Sequence, residues 1–224
     1  MMIRTIVAGT LALILTVASA KAAETTKFYM RPGSIMRIEG TASAIHTHWA
    51  VESHLIAGYL EAGPEFPTEP GQAVTPGKVP ARAEPFIPVR SLKSVEENGE
   101  HYSDAMDGVM YDHLKAKDDP RATIYFHLTD LTLKEPAKTK DDPYGFEAKG
   151  QVVVAGATNV VTMPIQVLPM PGNQLKITGS TAVKMTDFGI SPPAPLGFAL
   201  KTGDEVKLIF TWIVAPRHTA AAAK

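Results

Sequence analysis

The sequence predicts an all-β domain that carries a single helix. Three observations lead there. Apolar and polar residues alternate through most of residues 122–214, and proline and glycine punctuate the chain between the alternating runs. Only one segment repeats its apolar residues at intervals of three and four. Period-two alternation marks a sheet with one buried face, because a strand turns successive side chains to opposite sides.

The first extended runs are residues 34–43 and 45–60, which meet near Ala42, Ser43 and Ala44. Residues 63–85 are different in kind, with prolines at 64, 67, 70, 76, 80 and 85 and glycines at 63, 71 and 77. Proline removes a backbone donor and fixes φ, so neither a helix nor a central strand is expected. The segment reads as a long surface excursion, partly polyproline-like, with a position over the mouth of the fold as one option. Residues 85–92 return to a strand, and Pro88 marks an edge or a bulge. The helix follows. Ser103 is its N-cap, and Asp104 and Asp107 place negative charge in the first turn, where the helix dipole favours it. Met106, Val109, Met110, His113 and Leu114 make one apolar stripe, and Pro120 ends the segment. The stripe is expected to pack on the sheet as a lid or flank.

The second half is strand after strand. Ile124, Phe126 and Leu128 share one face of residues 122–133. Residues 146–155 and 160–168 flank a turn over residues 156–159, and residues 174–186 alternate in the same way. After a proline-rich loop at 191–195, residues 204–214 put Val206, Leu208, Phe210 and Trp212 on one face. The total is about eight strands, a count that a sandwich and a closed barrel both fit.

The 224 residues suit one domain, and 45% hydrophobic content is enough for a sizeable core. The 22 Lys and Arg nearly balance the 23 Asp and Glu, so no long-range field draws nucleic acid. The absence of cysteine excludes disulfides, thiolate nucleophiles and zinc–thiolate sites. Residues 1–23 have the form of a signal peptide: Arg4, an apolar run over 6–17, then small residues that set cleavage after Ala20, Ala22 or Ala23. The expected mature domain is 24–216, without a transmembrane segment and exported to the periplasm or beyond, with a frayed tail at 217–224. Whether it forms a homodimer is left open by the sequence.

Several segments resemble the YceI-like family. They are Arg37-Ile38-Glu39-Gly40-Thr41-Ala42-Ser43 followed by His46 and Trp49, and Pro88-Val89-Arg90-Ser91-Leu92-Lys93-Ser94. The helix from Met106-Asp107 to Leu114-Lys115-Ala116, with Pro120, belongs to the same pattern, as does the hairpin over 150–164. The most specific block is Lys184-Met185-Thr186-Asp187-Phe188-Gly189-Ile190 with Lys201-Thr202-Gly203-Asp204-Glu205-Val206. The resemblance covers nearly the whole expected mature chain in order. It implies a lipocalin-like antiparallel barrel with a helix against it, which holds a long apolar lipid, a polyisoprenoid or quinone-like molecule, as carrier, store or scavenger. The proline-rich excursion and His46-Thr47-His48-Trp49 depart from the family pattern.

A dry, apolar interior would be lined by Met106, Met110, Met163 and Met185, whose flexible side chains suit a variable ligand, with Phe126, Val183, Phe188 and Phe210. Trp49, Arg90 and Lys93 are the expected contacts at the mouth, the two cations toward a head group. His46 and His48 share one strand face at a spacing that can ligate zinc or copper, with His54 or Glu52 as a third ligand. That pair carries the alternative reading of a metal-binding protein or metal-dependent enzyme. No nucleophile elbow, zinc-protease motif or phosphate-binding glycine loop is present, so no catalytic residue and no cofactor are assigned.

Overall fold

The computed structural model describes residues 25–43, 48–194 and 201–217. The expected signal segment, His46 and residues 218–224 lie outside the described residues. Thirteen strands are described: β1 (Thr26–Met30), β2 (Ile35–Ala42), β3 (His48–Ser53), β4 (Tyr59–Ala62), β5 (Gly77–Lys78), β6 (Ala81–Ala83), β7 (Phe86–Pro88), β8 (Lys93–Val95), β9 (Thr123–Glu135), β10 (Tyr144–Val154), β11 (Ala157–Met170), β12 (Gln174–Lys184) and β13 (Thr202–Pro216). One helix, α1 (Asp104–His113), and 3₁₀ turns at Val89–Ser91 and Met185–Phe188 complete the described elements.

All thirteen strands join one antiparallel sheet, and they resolve into eight staves. β1 and β2 are one stave broken at Arg31-Pro32-Gly33-Ser34; its parts pair with the end and the middle of β13. β3 and β4 are a second, pairing with β2 and β1. Segment 77–95 is a third, and β9 to β13 are the remaining five, joined in sequence order. The expected count of about eight therefore holds, although a strand at Thr26–Met30 was not expected. The run expected over 45–60 is broken at residues 54–58, where Gly58 takes a φ of 101° that suits glycine, and the chain resumes in the same direction as β4. The expected turn over 156–159 is instead Ala155–Gly156, both at positive φ, so that β11 starts directly at Ala157. A two-residue hairpin loop needs that geometry to follow the twist of the strands.

The proline-rich segment is the main correction to the sequence reading. It is a surface excursion only in part, because buried residues punctuate it. Phe66 is 2% exposed and stacks on Phe146 at 5.7 Å between ring centroids. Val79 and Ala83 are buried with it, and the Tyr144 hydroxyl donates to the Gln72 carbonyl at 2.7 Å. Its second half closes the barrel. β5 and β7 pair with β9, Val79 N–H donates to Leu131 O, and β6 pairs with β4. Pro80, Pro85 and Pro88 cut this stave into pieces of two or three residues, because proline has no N–H to give the ladder.

The two ends of the barrel differ. At the lower end, Phe28, Leu60, Phe66, Leu133, Tyr144, Phe146, Leu175 and Val214 form a solid core. Trp212 adds a hydrogen bond from Nε1 to Ile56 O, 3.0 Å. At the upper end, β8 pairs with β3 but, among the described residues, with no part of β9. The helix α1 occupies that gap. Among the described residues no helix is long and apolar enough to cross a membrane.

Candidate functional site: an apolar cavity under the helix

The helix forms where its capping residue begins it: Ser103 is extended, and its hydroxyl accepts from Met106 N–H. Its seat on the barrel is set by Asp107, which is 2% exposed. The Asp107 carboxylate accepts from Ser94 N–H at 2.7 Å and lies 3.0 Å from both Lys93 Nζ and His101 Nε2. Burial by itself pushes this carboxyl up, but the Ser94 N–H, Lys93, the Ser94 hydroxyl and His101 together hold it below the usual carboxylate range. Further along, the Tyr111 hydroxyl donates to Leu92 O at 2.8 Å, and Arg90 donates to Ala116 O at 2.7 Å while lying over the Tyr111 ring. Among the described residues, no buried side-chain nitrogen or oxygen lacks a partner.

With α1 held in this way, its apolar stripe faces a cavity of about 930 Å³. Ligand pockets usually fall within roughly 300–1,000 Å³, so this is a large one. Met106, Val109, Met110 and Leu114 form the helix wall. The sheet contributes Ile38, Val51, Ile124, Val152, Val154, Val206 and Leu208 from the upper ends of five strands. Val183, Met185, Phe188 and Ile190 close the far side. The turn carrying Met185 and Phe188 is tied to β13 by Asp204, which accepts from Thr186 N–H at 2.9 Å and from its hydroxyl at 2.6 Å. Those two bonds hold the Asp204 carboxyl below its ordinary value.

The rim is polar. Arg37 is held between Glu39 (2.7 Å) and Glu52 (2.6 Å), which raise its pKa further, the Glu39 bond most. Trp49 lies against Gly40, where a Cβ would come within 2.8 Å of the indole nitrogen, and Nε1 donates to Thr41 O at 3.1 Å. The indole therefore has one fixed place on the wall. Glu96, Glu97, Asn98, Glu100 and Tyr102 border the opening beyond β8.

Of the eight side chains expected to line an interior, Met106, Met110, Val183, Met185 and Phe188 border the cavity. Phe126, Met163 and Phe210 do not; they face inward in the packed layer next below it. Period two places a residue on the inner face but says nothing of its height along the barrel. Trp49 borders the cavity as expected. Arg90 and Lys93 are corrected: Arg90 is bound to the Ala116 carbonyl just past α1 and Lys93 to Asp107 within it, and neither borders the cavity. The unassigned lining residues Ile38, Val51, Ile124, Val152, Val154, Val206 and Leu208 carry the same alternation signal as the assigned ones.

His48 is exposed at the rim, and His46 lies outside the described residues. Glu52 and His54 cannot share an ion with His48: four to six residues of strand at about 3.3 Å each separate them by about 13–20 Å. Glu52 is moreover bound to Arg37. Among the described residues, His101, Asp104 and Asp107 do bring ligand atoms within 4.8 Å of one another. Lys93 and Ser94 already occupy Asp107, which makes the group a helix anchor.

Residues 38–213 match the family model of the YceI-like domain. The fold is similar to a polyisoprenoid-binding domain from Saccharophagus degradans implicated in plant cell wall breakdown. The two are 10% identical over 85% of this chain and 98% of that one, with a TM-score of 0.58. It is also similar to BcnA of Burkholderia cenocepacia, 14% identical over 80% and 95% of the two chains, with a TM-score of 0.55. No curated protein matches the sequence.

Proposed function

The chain belongs to the YceI-like family, and from that membership we propose that it is a binding protein, not an enzyme, that holds an apolar lipid of the isoprenoid type inside its barrel. The observation that carries this reading is the cavity itself: about 930 Å³, walled by aliphatic, methionine and phenylalanine side chains, and open at one polar rim. The similarity to the polyisoprenoid-binding domain of Saccharophagus degradans supports the same cargo. Each methylene taken out of water contributes about 0.8 kcal/mol, so three five-carbon units contribute about 12 kcal/mol gross. Association costs at least about 4 kcal/mol of this. About 8 kcal/mol remains, the free energy of a micromolar complex.

Asp107, the buried carboxylate beside the cavity, is engaged by three donors that seat the helix, which favours a binding role over a catalytic one. With the signal-like segment at residues 1–23, the reading is of an exported, periplasmic carrier, store or scavenger. The test is native mass spectrometry of the purified chain, followed by solvent extraction, with metals quantified on the same sample. An extractable isoprenoid at near-stoichiometric level is expected. A protein that carries no apolar molecule and takes up no apolar probe would remove the proposal. Stoichiometric metal without lipid would return the question to His46 and His48.

A further inference from the structure

We infer that the barrel contains a chain-length stop, so that the cargo is a short prenyl chain and not a long one; this rests on reading the cavity as a lipid site. The stop is the layer directly beneath the cavity. On three strands, the inward-facing residue one step below a lining residue does not border the cavity and packs, partly buried, against the lower core: Phe126 below Ile124, Phe210 below Leu208 and Met36 below Ile38. Phe126 touches both the apolar cluster above and the one below, so it stands at the boundary.

Two glycines hold this layer in place. A Cβ on Gly179 would come within 2.8 Å of the Phe210 ring, and one on Gly150 within 2.6 Å of the Phe126 ring. Each ring thus fills the space that a neighbouring side chain would take. Beneath it lies the plug delivered by the proline-rich segment, with Phe66 stacked on Phe146. A chain entering from the rim meets a double aromatic barrier halfway down the barrel.

The depth follows from the register. Along β2, which is regular where β13 is bulged, the cavity runs from Ala42 to Ile38, about 13 Å of strand at roughly 3.3 Å per residue. A stave tilt of roughly 35–45° reduces this to about 10 Å along the barrel axis. An extended isoprene unit has four chain bonds of about 1.5 Å and advances about 5 Å. The cavity therefore accepts about two units in line, or about four when the chain folds back once. A chain of nine units would leave its end in water.

The test is a series of prenyl alcohols of three, four, six and nine isoprene units, offered singly and in competition to the delipidated full-length chain. Dissociation constants and native mass spectra are the readout. In the wild type, affinity should rise about tenfold or more per added unit inside the cavity, then flatten, with the nine-unit chain bound no better than the six-unit one. Phe126→Ala and Phe210→Ala should move the plateau to longer chains. Met106→Ala, at the upper wall, should weaken every chain and leave the plateau where it was. Phe126→Leu and Phe210→Leu serve if the alanine variants do not fold, and should move the plateau less, in the same direction. Affinity that keeps rising through nine units in the wild type would overturn the stop, as would a plateau unmoved in folded floor variants. Failure of every chain to bind would instead remove the lipid reading beneath it.

Discussion

Replacing Phe66 by alanine tests whether the proline-rich segment is part of the barrel or an appendage to it. Phe66 is 2% exposed, and its ring stacks on Phe146 at the lower end. Truncation removes the transfer free energy of the ring and leaves a void beside Phe146 in the lower core. Such substitutions cost about 3–5 kcal/mol. For a chain of this size that is a fall in Tm of about 6–20 °C, or of about 1–3 M in the urea midpoint. Equilibrium urea unfolding followed by Trp212 fluorescence is the assay, since that indole is buried in the same core and bonded to Ile56. Pro70→Ala, at an exposed position of the same segment, is the control and should lie within about 0.5 kcal/mol of the wild type. A loss below about 1 kcal/mol for Phe66→Ala, in a cooperative transition, would mean that the segment does not plug the barrel and that the lower end is closed by something else.

The other expectations concern the helix and the rim. Asp107→Ala leaves the Ser94 N–H without its charged acceptor and should cost about 2 kcal/mol, with faster hydrogen exchange across α1; Asp107→Asn keeps that acceptor and should cost less. The folded-state pKa of Asp107 is depressed, so its contribution is complete above the ordinary value near 3.9 and is lost as pH falls through the folded-state value. The stability gap between wild type and Asp107→Asn should therefore be constant above about pH 5 and shrink below about pH 4, read from urea unfolding at each pH. Ser103→Ala removes the N-cap and should cost about 1 kcal/mol, measured by the same unfolding. Gly40→Ala sets a Cβ against the Trp49 indole and should push the ring off the wall, seen as a shifted tryptophan emission and reduced uptake of an apolar probe. Unchanged emission would show that the ring is not seated on Gly40.

Much of the fold was legible because the forces that make it are local. Alternation over β9 to β13 records which side chains are buried, and the Met106, Val109, Met110 and Leu114 stripe with Ser103 before it records a capped amphipathic helix. What was not legible depends on contacts distant in sequence. Phe66, Val79 and Ala83 are too sparse among prolines to show any period, yet their burial decides where the segment goes. Arg90 and Lys93 looked like mouth cations because their partners, the Ala116 carbonyl and Asp107, are neighbours only after folding. Phe126 and Phe210 sit on the expected face; only the register of eight staves says that they lie below the cavity and not around it.

The last strand is also the hub of the sheet. β13 pairs with β12 on one side and with both β1 and β2 on the other, so the first staves of the chain wait for the last. Contacts between such distant positions must close a very long loop before they contribute anything, which makes barrel formation a late and slow event. Before residues 202–216 arrive, β9 to β12 can assemble as a meander, but β12 presents a bare edge and β1 and β2 have no neighbour on that side. A chain cut short of Thr202 would thus not fold into a smaller barrel; it would be an open sheet with two unpaired edges, ready to add strands from other copies.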